Sequence, residues 1–365
     1  MRRPLDLVTV PIRQPNGNAK VCLNLVRADG HPELVLVGPP RMGKTSVAAT
    51  QSKERVIEAL TRLWESLPEP LRDPVALAVP FFVFFVVVEA VAAALLEEPE
   101  PSARVAPDGR AMPALGGYAR QDSRASISMG AVSVATMAFF KFIALIAYTA
   151  IYAYVAPWHL SSHAWYTWVI ALLGVDFLFY WTHRIAHRVR LVWATHQAHH
   201  SSEYFNFSTA LRQKWNNSAE IIMWLPLPFL GVPPWMVFFS FSVNLVYQFF
   251  VHTERVDRLW APVELLVNTP SHHRVHHGCD PEYLDRNYAG ILIIWDRLFG
   301  TFQPEIRRPT YGLTTPVGTH RIIKLQTREY ANILADVRRS GRLRDKLGYV
   351  FGPPGWAPAT TGLDA

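Results

Sequence analysis

Cysteine is nearly missing. Cys22 and Cys279 are the two in 365 residues, too few for a disulfide framework or a cysteine-built metal site. Charge is scarce too: 18% of the chain is charged, against about 25% in soluble globular domains, while 50% is hydrophobic. The opening MRRPLDLVTVPIRQPNG lacks a continuous apolar core followed by a small-residue cleavage site, so no secretory signal is expected and membrane insertion would rely on internal segments. There is also no basic block behind the net charge of +7. Lys and Arg lie between hydrophobic runs, a pattern of membrane topology rather than of nucleic-acid binding, and no nucleic-acid partner is expected.

What is present is apolar length. Residues 74–96 carry a single charge, Glu89, and suffice to cross a bilayer core at about 1.5 Å per residue. A second run, 127–154, holds Lys141 near its middle, where a cation needs a partner or a tilted helix. A third, 164–181, is marked at its ends by Trp165, Trp168 and Trp181, as at a membrane interface. Residues 219–253 read as a hairpin broken by Pro226, Pro228, Pro233 and Pro234 around Gly231; a re-entrant pair and two full crossings fit equally. The expectation is an all-α fold, an integral membrane helical bundle with a histidine-rich helical cap. Residues 1–72 would be an extension, 73–305 the membrane-embedded catalytic domain and 306–365 a tail. Arg and Lys crowd loops 97–126 and 182–218 and are absent from turns 156–163 and 231–234. That asymmetry predicts that the cap and the C-terminal part face the cytoplasm.

Ten of the 14 histidines fall between 183 and 277. HRIAH supplies His183 and His187, HQAHH supplies His196, His199 and His200, and HHRVHH supplies His272, His273, His276 and His277; His252 stands alone. Residues four apart share a helix face, so each such pair can aim at one point, and the extra histidine of HxxHH can serve a neighbouring one. Eight imidazoles from one HxxxH and two HxxHH units, with His252 as a ninth, exceed the four or so that one tetrahedral metal takes, so the supply fits two metals, a dimetal site. His272 falls outside the HxxHH spacing. His31, His159, His163 and His320 read as ordinary polar histidines. Burying so many imidazoles without a ligand would be costly.

Imidazole suits zinc, copper, iron and nickel, and the spacing does not choose among them. Three classes stay open: an iron oxygenase acting on an apolar substrate, a zinc-dependent membrane hydrolase, and a histidine-rich metal transporter. A transporter needs ionisable groups spread along its membrane helices, whereas these histidines gather at one membrane face. Around the boxes, Asp176 lies seven residues before His183, on the same helix face, where it can support a ligand imidazole or make a helix–helix polar contact. Glu203, Asn206 and His272 are further supporting candidates, as are Asn268, Asp280 and Asp296, and Arg212 can pair with Glu203 or a lipid head group.

The boxes resemble those of the fatty acid hydroxylase and sterol desaturase superfamily. YWTHRIAHRVRLVWATHQAHHSSEYFNFSTALRQ, VNTPSHHRVHHGCDPEYLDRNYAGILIIWDRLFGTF, YGLTTP (311–316) and LGYVFGPPGW (347–356) resemble its alkylglycerol monooxygenase branch, and the resemblance spans roughly 74–356. It implies that His183, His187, His196, His199, His200, His273, His276 and His277, with His252, hold two iron ions. It further implies that the chain uses O2 and a membrane-bound lipid, and that tetrahydrobiopterin or another external electron donor supplies electrons. The chain departs from that branch at Arg188, where an acidic residue often follows the first box.

Gly38–Thr45, GPPRMGKT, has the spacing of a phosphate-binding loop, after strand-like ELVLV (33–37) and before helix-like SKERVIEALTRLWESL. A nucleotide domain also needs several strands and an acidic metal ligand on another strand, and the 70 or so residues before the membrane offer no second apolar run ending in Asp. The extension is therefore expected to be dispensable. A chain beginning near Leu71 should insert and turn over, and Lys44→Ala should leave activity unchanged; a normally expressed but inactive Lys44→Ala protein would revive nucleotide binding.

Overall fold

The computed structural model describes residues 9–12, 21–28, 31–37, 73–96, 109 and 116–358. The chain divides into two units, Met1–Pro68 and Glu69–Ala365. In the first, β1 (Thr9–Ile12), β2 (Val21–Ala28) and β3 (His31–Val37) form an antiparallel sheet in the order β1-β2-β3. The strand-like run at 33–37 is thus part of β3. The all-helical expectation holds for the second unit and not for this sheet. Gly38–Thr45 and the helix-like stretch after it lie outside the described residues.

Among its described residues the second unit has four helices long and apolar enough to cross a membrane: α1 (Pro74–Leu95), α2 (Arg120–Tyr154), α3 (Trp165–Arg188) and α8 (Pro234–Val251). Between α3 and α8 lie four short helices, α4 (Arg190–His196), α5 (Phe207–Ala210), α6 (Ser218–Met223) and α7 (Pro226–Phe229). The expected hairpin of 219–253 is therefore one broken arm, α6 and α7, and one continuous arm, α8. Pro226 and Pro234 each start a helix, where a missing N–H costs nothing. Gly231 makes the reversal at φ +80°; a side chain there would press on the Trp158 carbonyl. The Gly231 carbonyl accepts from Leu160 N at 2.9 Å and the Leu230 carbonyl from Trp158 Nε1 at 2.9 Å. Both turns without Lys or Arg thus sit at the same end of the bundle.

Two apolar cores join the membrane helices to one another. Ala144, Tyr148, Val175, Trp224 and Met236 pack α2, α3 and the hairpin together, and Ala78, Phe82 and Phe249 join α1 to α8, the last two rings stacked at 4.1 Å. The outward faces stay apolar: Phe81, Val83, Phe84 and Val87 on α1 are more than half exposed. A soluble protein does not leave such a face open; a bilayer covers it, and the chain is an integral membrane protein. Lys141 finds its partner in Asp73, 3.0 Å away, whose carboxylate also caps α1 through Val75 N.

α2 and α3 both outrun the expected apolar segments. α2 begins at Arg120 rather than 127, and α3 continues past Trp181 to Arg188, carrying His183 and His187 rigidly on its last turns. Beyond α8 come α9 (Ala261–Leu266), α10 (Pro270–His277) and α11 (Ile294–Leu298), then α12 (Ile322–Arg339) and α13 (Leu343–Phe351). α12 closes over α4: Arg190 meets Glu329 at 2.7 Å and Asp336 at 2.8 Å, and Gln197 Nε2 donates to the Leu325 carbonyl.

Candidate metal centre

Nine imidazoles converge from four places in the chain. The end of α3 brings His183 and His187, α4 and the turn after it bring His196, His199 and His200, the end of α8 brings His252, and α10 brings His273, His276 and His277. They fall into two adjoining groups. His183, His187, His196, His200 and His276 form one, His199, His252, His273 and His277 the other; within each, one ligand atom per residue lies within 4.8 Å of all the others. The two HxxHH boxes divide in opposite senses. The first gives its outer pair, His196 and His200, to the larger group and His199 to the smaller. The second gives its outer pair, His273 and His277, to the smaller and His276 to the larger. On α10 the reason is helix geometry: positions i and i+4 are nearly aligned, while i+3 points about 60° to 100° away.

The tautomers decide what the groups need. A carbonyl can only accept, so a ring nitrogen beside one carries the hydrogen. Nδ1 of His183 faces the Tyr288 carbonyl at 2.8 Å, that of His199 the Arg212 carbonyl at 3.1 Å, that of His252 the Gln248 carbonyl at 2.7 Å and that of His276 the Arg286 carbonyl at 3.0 Å. Nε2 of these rings is then a bare lone pair. His252 Nε2 and His199 Nε2 nevertheless face each other at 3.3 Å, with no proton to share. The Nε2 atoms of His187, His276 and His277 are buried without a hydrogen-bond partner. Protonation does not resolve this, because burial among neighbouring imidazoles pushes His196, His199, His200, His273, His276 and His277 well below the usual histidine range and burial pushes His252 down to about 4. Converging lone pairs on neutral rings are the donor set of a cation, and the residues fit two.

Carboxylates fix the carbonyls that fix the rings. Asp296 accepts from the N–H groups of Tyr288 and Ala289, both at 2.8 Å, and so holds the peptide whose carbonyl orients His183. Arg212, wholly buried, is ion-paired with Asp122 of α2 and donates to Ser126 and Ser201; its carbonyl orients His199. Glu89, the lone charge of α1, accepts from Phe207 N at 2.7 Å, from Tyr118 Oη at 2.6 Å and from the Thr253 hydroxyl next to His252.

Most of the expected supporting residues do other work. Asp176 reaches no imidazole: it accepts from Asn244 Nδ2 at 2.9 Å, Ile291 N at 2.7 Å, Leu292 N at 3.1 Å and Trp295 Nε1 at 2.9 Å, and so binds α3 to α8 and to the loop before α11. Asn206 caps α5 and donates to the Gly117 carbonyl. His272 points away from both groups to Glu264, 2.9 Å distant. Glu203 is exposed and acts on Arg212 through its charge, while the ion-pair partner of Arg212 is Asp122. Asn268 binds the carbonyls of Ala289 and Gly290, and Asp280 binds Thr310. Asp122 and Asp285 escaped the sequence reading. Asp285, at φ +59°, lies 3.6 Å from His187 Nδ1 and 2.9 Å from Arg188, so Arg188 brings a carboxylate beside the first box from elsewhere in the chain.

A cavity of about 350 Å³ reaches the centre from between the apolar helices. Val79, Phe82, Ile127 and Phe249 are among its walls, and His183, His196, His199 and His252 close its inner end.

Residues 168–301 match the fatty acid hydroxylase family model. Human alkylglycerol monooxygenase is 40% identical over 291 residues, 80% of this chain and 61% of that protein. The Danio rerio alkylglycerol monooxygenase is 48% identical over 203 residues, 55% of this chain and 44% of the relative. An ornithine lipid hydroxylase of Rhizobium tropici is 30% identical over 153 residues, 41% of this chain and 46% of that protein. The chain thus spans between about two fifths and three fifths of the length of these relatives. No solved structure matches it.

The Asp122–Arg212 pair gives a direct test of how His199 is held. Asp122→Ala leaves a buried guanidinium without its carboxylate and should cost about 3–5 kcal/mol, read as a lower melting temperature in detergent. Asp122→Ala with Arg212→Met removes both charges and should recover part of that loss. An unchanged melting temperature in the single variant would contradict this role.

Proposed function

Because the chain belongs to the fatty acid hydroxylase and sterol desaturase superfamily, close to its alkylglycerol monooxygenase branch, we propose that it is a membrane-bound di-iron oxygenase that oxidises a C–H bond of a lipid, with O2 and two external electrons. The observation that carries this reading is the junction of an all-histidine double cluster with an apolar cavity open toward the spans. A sterol, a fatty acyl chain and an alkylglycerol share the required apolar part, and the relatives named above favour the alkylglycerol.

Two iron ions held by the nine histidines would supply the binding and reductive activation of O2 that no side chain can provide. The residues do the rest. Phe82 and Phe249 hold the alkyl tail and exclude water, so that the reacting carbon is presented to the imidazoles at the cavity's inner end. The carbonyls of Tyr288, Arg212, Gln248 and Arg286 keep four rings in the tautomer that offers Nε2 inward. For a hydroxylation, one oxygen atom enters the C–H bond as hydroxyl, and the other leaves as water after taking up two electrons and two protons. The Lys and Arg of the loops favour a cytoplasmic face for this end of the bundle; a cysteine substituted at Gly300 should resist an impermeant thiol reagent added outside intact cells, and its labelling there would reverse the orientation.

Membranes containing the chain should take up oxygen and hydroxylate an added 1-alkylglycerol, fatty acyl lipid or sterol when a reductant is supplied. His199→Ala and His276→Ala, one from each group, should each lower the rate at least 100-fold. Zinc in place of iron, with full hydrolytic activity and no oxygen uptake, would contradict the proposal and favour a hydrolase.

A further inference from the structure

Among the described residues, one face of α13 has no partner. Leu343, Leu347 and Phe351 follow one another at four-residue steps and so form a single ridge along the helix. They are 70%, 49% and 58% exposed. The opposite face is spent on the cap. The Arg190 guanidinium lies 5.9 Å from the centre of the Tyr349 ring, and Trp356 meets the same ring at 5.3 Å. At 100° per residue Tyr349 falls on the far side of the helix from the ridge, which therefore points away from this contact.

Cations gather around the ridge. Arg338, Arg339, Arg342 and Arg344 are exposed, and among the described residues neither they nor Lys346 has a side-chain hydrogen bond or an ion pair. Arg344 and Lys346 flank the ridge on its two sides, while Asp345, the one carboxylate in 338–346, falls opposite it. The depth of the helix is fixed by its end. A hydrocarbon core of about 30 Å, entered at Trp165, is crossed in about 20 residues of α3 and ends near Arg184. Arg190 stands six residues further on, at most about 9 Å beyond that boundary, and its N–H donates to the Gly352 carbonyl at 2.9 Å. Head groups add about 5–8 Å on each side of the core. The C-terminal end of α13 is thus held at the edge of the head-group layer, where a side chain such as Phe351 can reach the acyl boundary.

This pattern selects the partner. Large apolar side chains flanked by unpaired Arg and Lys suit the surface of an anionic bilayer, whose phosphates meet the cations while the ridge enters the interface. A second copy packed ridge to ridge would bring two sets of unpaired arginines together, with one Asp345 on each side to offset them. We propose that α13 docks on the anionic surface of the membrane that the spans cross, and so ties the C-terminal part of the cap to the lipid beside it. The inference does not rest on the oxygenase reading.

The test uses the full chain, with an environment-sensitive fluorescent amino acid in place of Leu347, in nanodiscs loaded with single chains. Discs of phosphatidylcholine alone are compared with discs of phosphatidylcholine and phosphatidylglycerol in equal parts. In the anionic discs the emission should shift to the blue and be quenched by lipids carrying a nitroxide high on the acyl chain. Both effects should weaken in phosphatidylcholine alone and at high salt. Each neutralised arginine should lower the ratio of docked to free helix about fivefold, so Arg339→Gln with Arg342→Gln and Arg344→Gln should lower it about a hundredfold. The lipid and salt dependence of the chain with its arginines intact reads the same contact without any change to them. Absence of lipid quenching in both discs would overturn the proposal. So would quenching that is equal in the two discs and unmoved by the triple substitution. A blue shift without lipid quenching would also overturn it, since a protein surface, a second copy or an acidic partner, would then cover the ridge.

Discussion

The second unit turns on converging lone pairs. Nine neutral imidazoles are gathered at the end of a helical bundle, and at least four have their one hydrogen committed to a backbone carbonyl. Bare nitrogens then face one another across about 3 Å, an arrangement that repels unless cations sit among them. Burial keeps protons from serving in that role. Cations bound among these rings would stabilise the folded cap by linkage. Buried carboxylates brace the segments around the rings: Asp296 holds the peptide of Tyr288, Asp122 holds Arg212, and Glu89 holds Phe207 and Thr253, the neighbour of His252.

The membrane part meets this centre without intruding on it. Long helices deliver the histidines: α3 outruns its apolar run by two turns to carry His183 and His187, and α8 ends at the residue before His252. Charges left inside the apolar segments are all tied. Lys141 is bound to Asp73, Asp176 to four donors, and Glu89 to three. Each joins segments far apart in sequence, so these intramembrane polar groups serve assembly, and the imidazoles are left to close the inner end of the apolar cavity.

The histidines were legible in the sequence because helical spacing is a local signal. Four-residue steps in HRIAH, HQAHH and HHRVHH place rings on one face whatever the rest of the chain does, and the described structure brings together the same nine. The lone His252 was legible only through the resemblance and its place at the end of an apolar run. Which carboxylate supports which ring was not legible, because the link runs through backbone carbonyls, which every residue possesses. Asp176 shares a face with His183, yet four donors from α8 and the 291–295 region claim it first. Asp122 sits in a stretch that reads as an Arg-rich loop and became helix because α2 extends beyond the apolar run. His272 shares a box with three cluster members, but one residue's rotation about α10 turns it to Glu264.

Metal-edge anomalous diffraction from crystals of the purified chain, or X-ray absorption with metal analysis where crystals fail, bears most directly on the converging lone pairs. The account predicts two metal ions per chain, one amid His183, His187, His196, His200 and His276 and one amid His199, His252, His273 and His277, with a first coordination sphere of nitrogen and oxygen only. A single metal, or a metal bound outside these nine imidazoles with the cluster left without one, would contradict it.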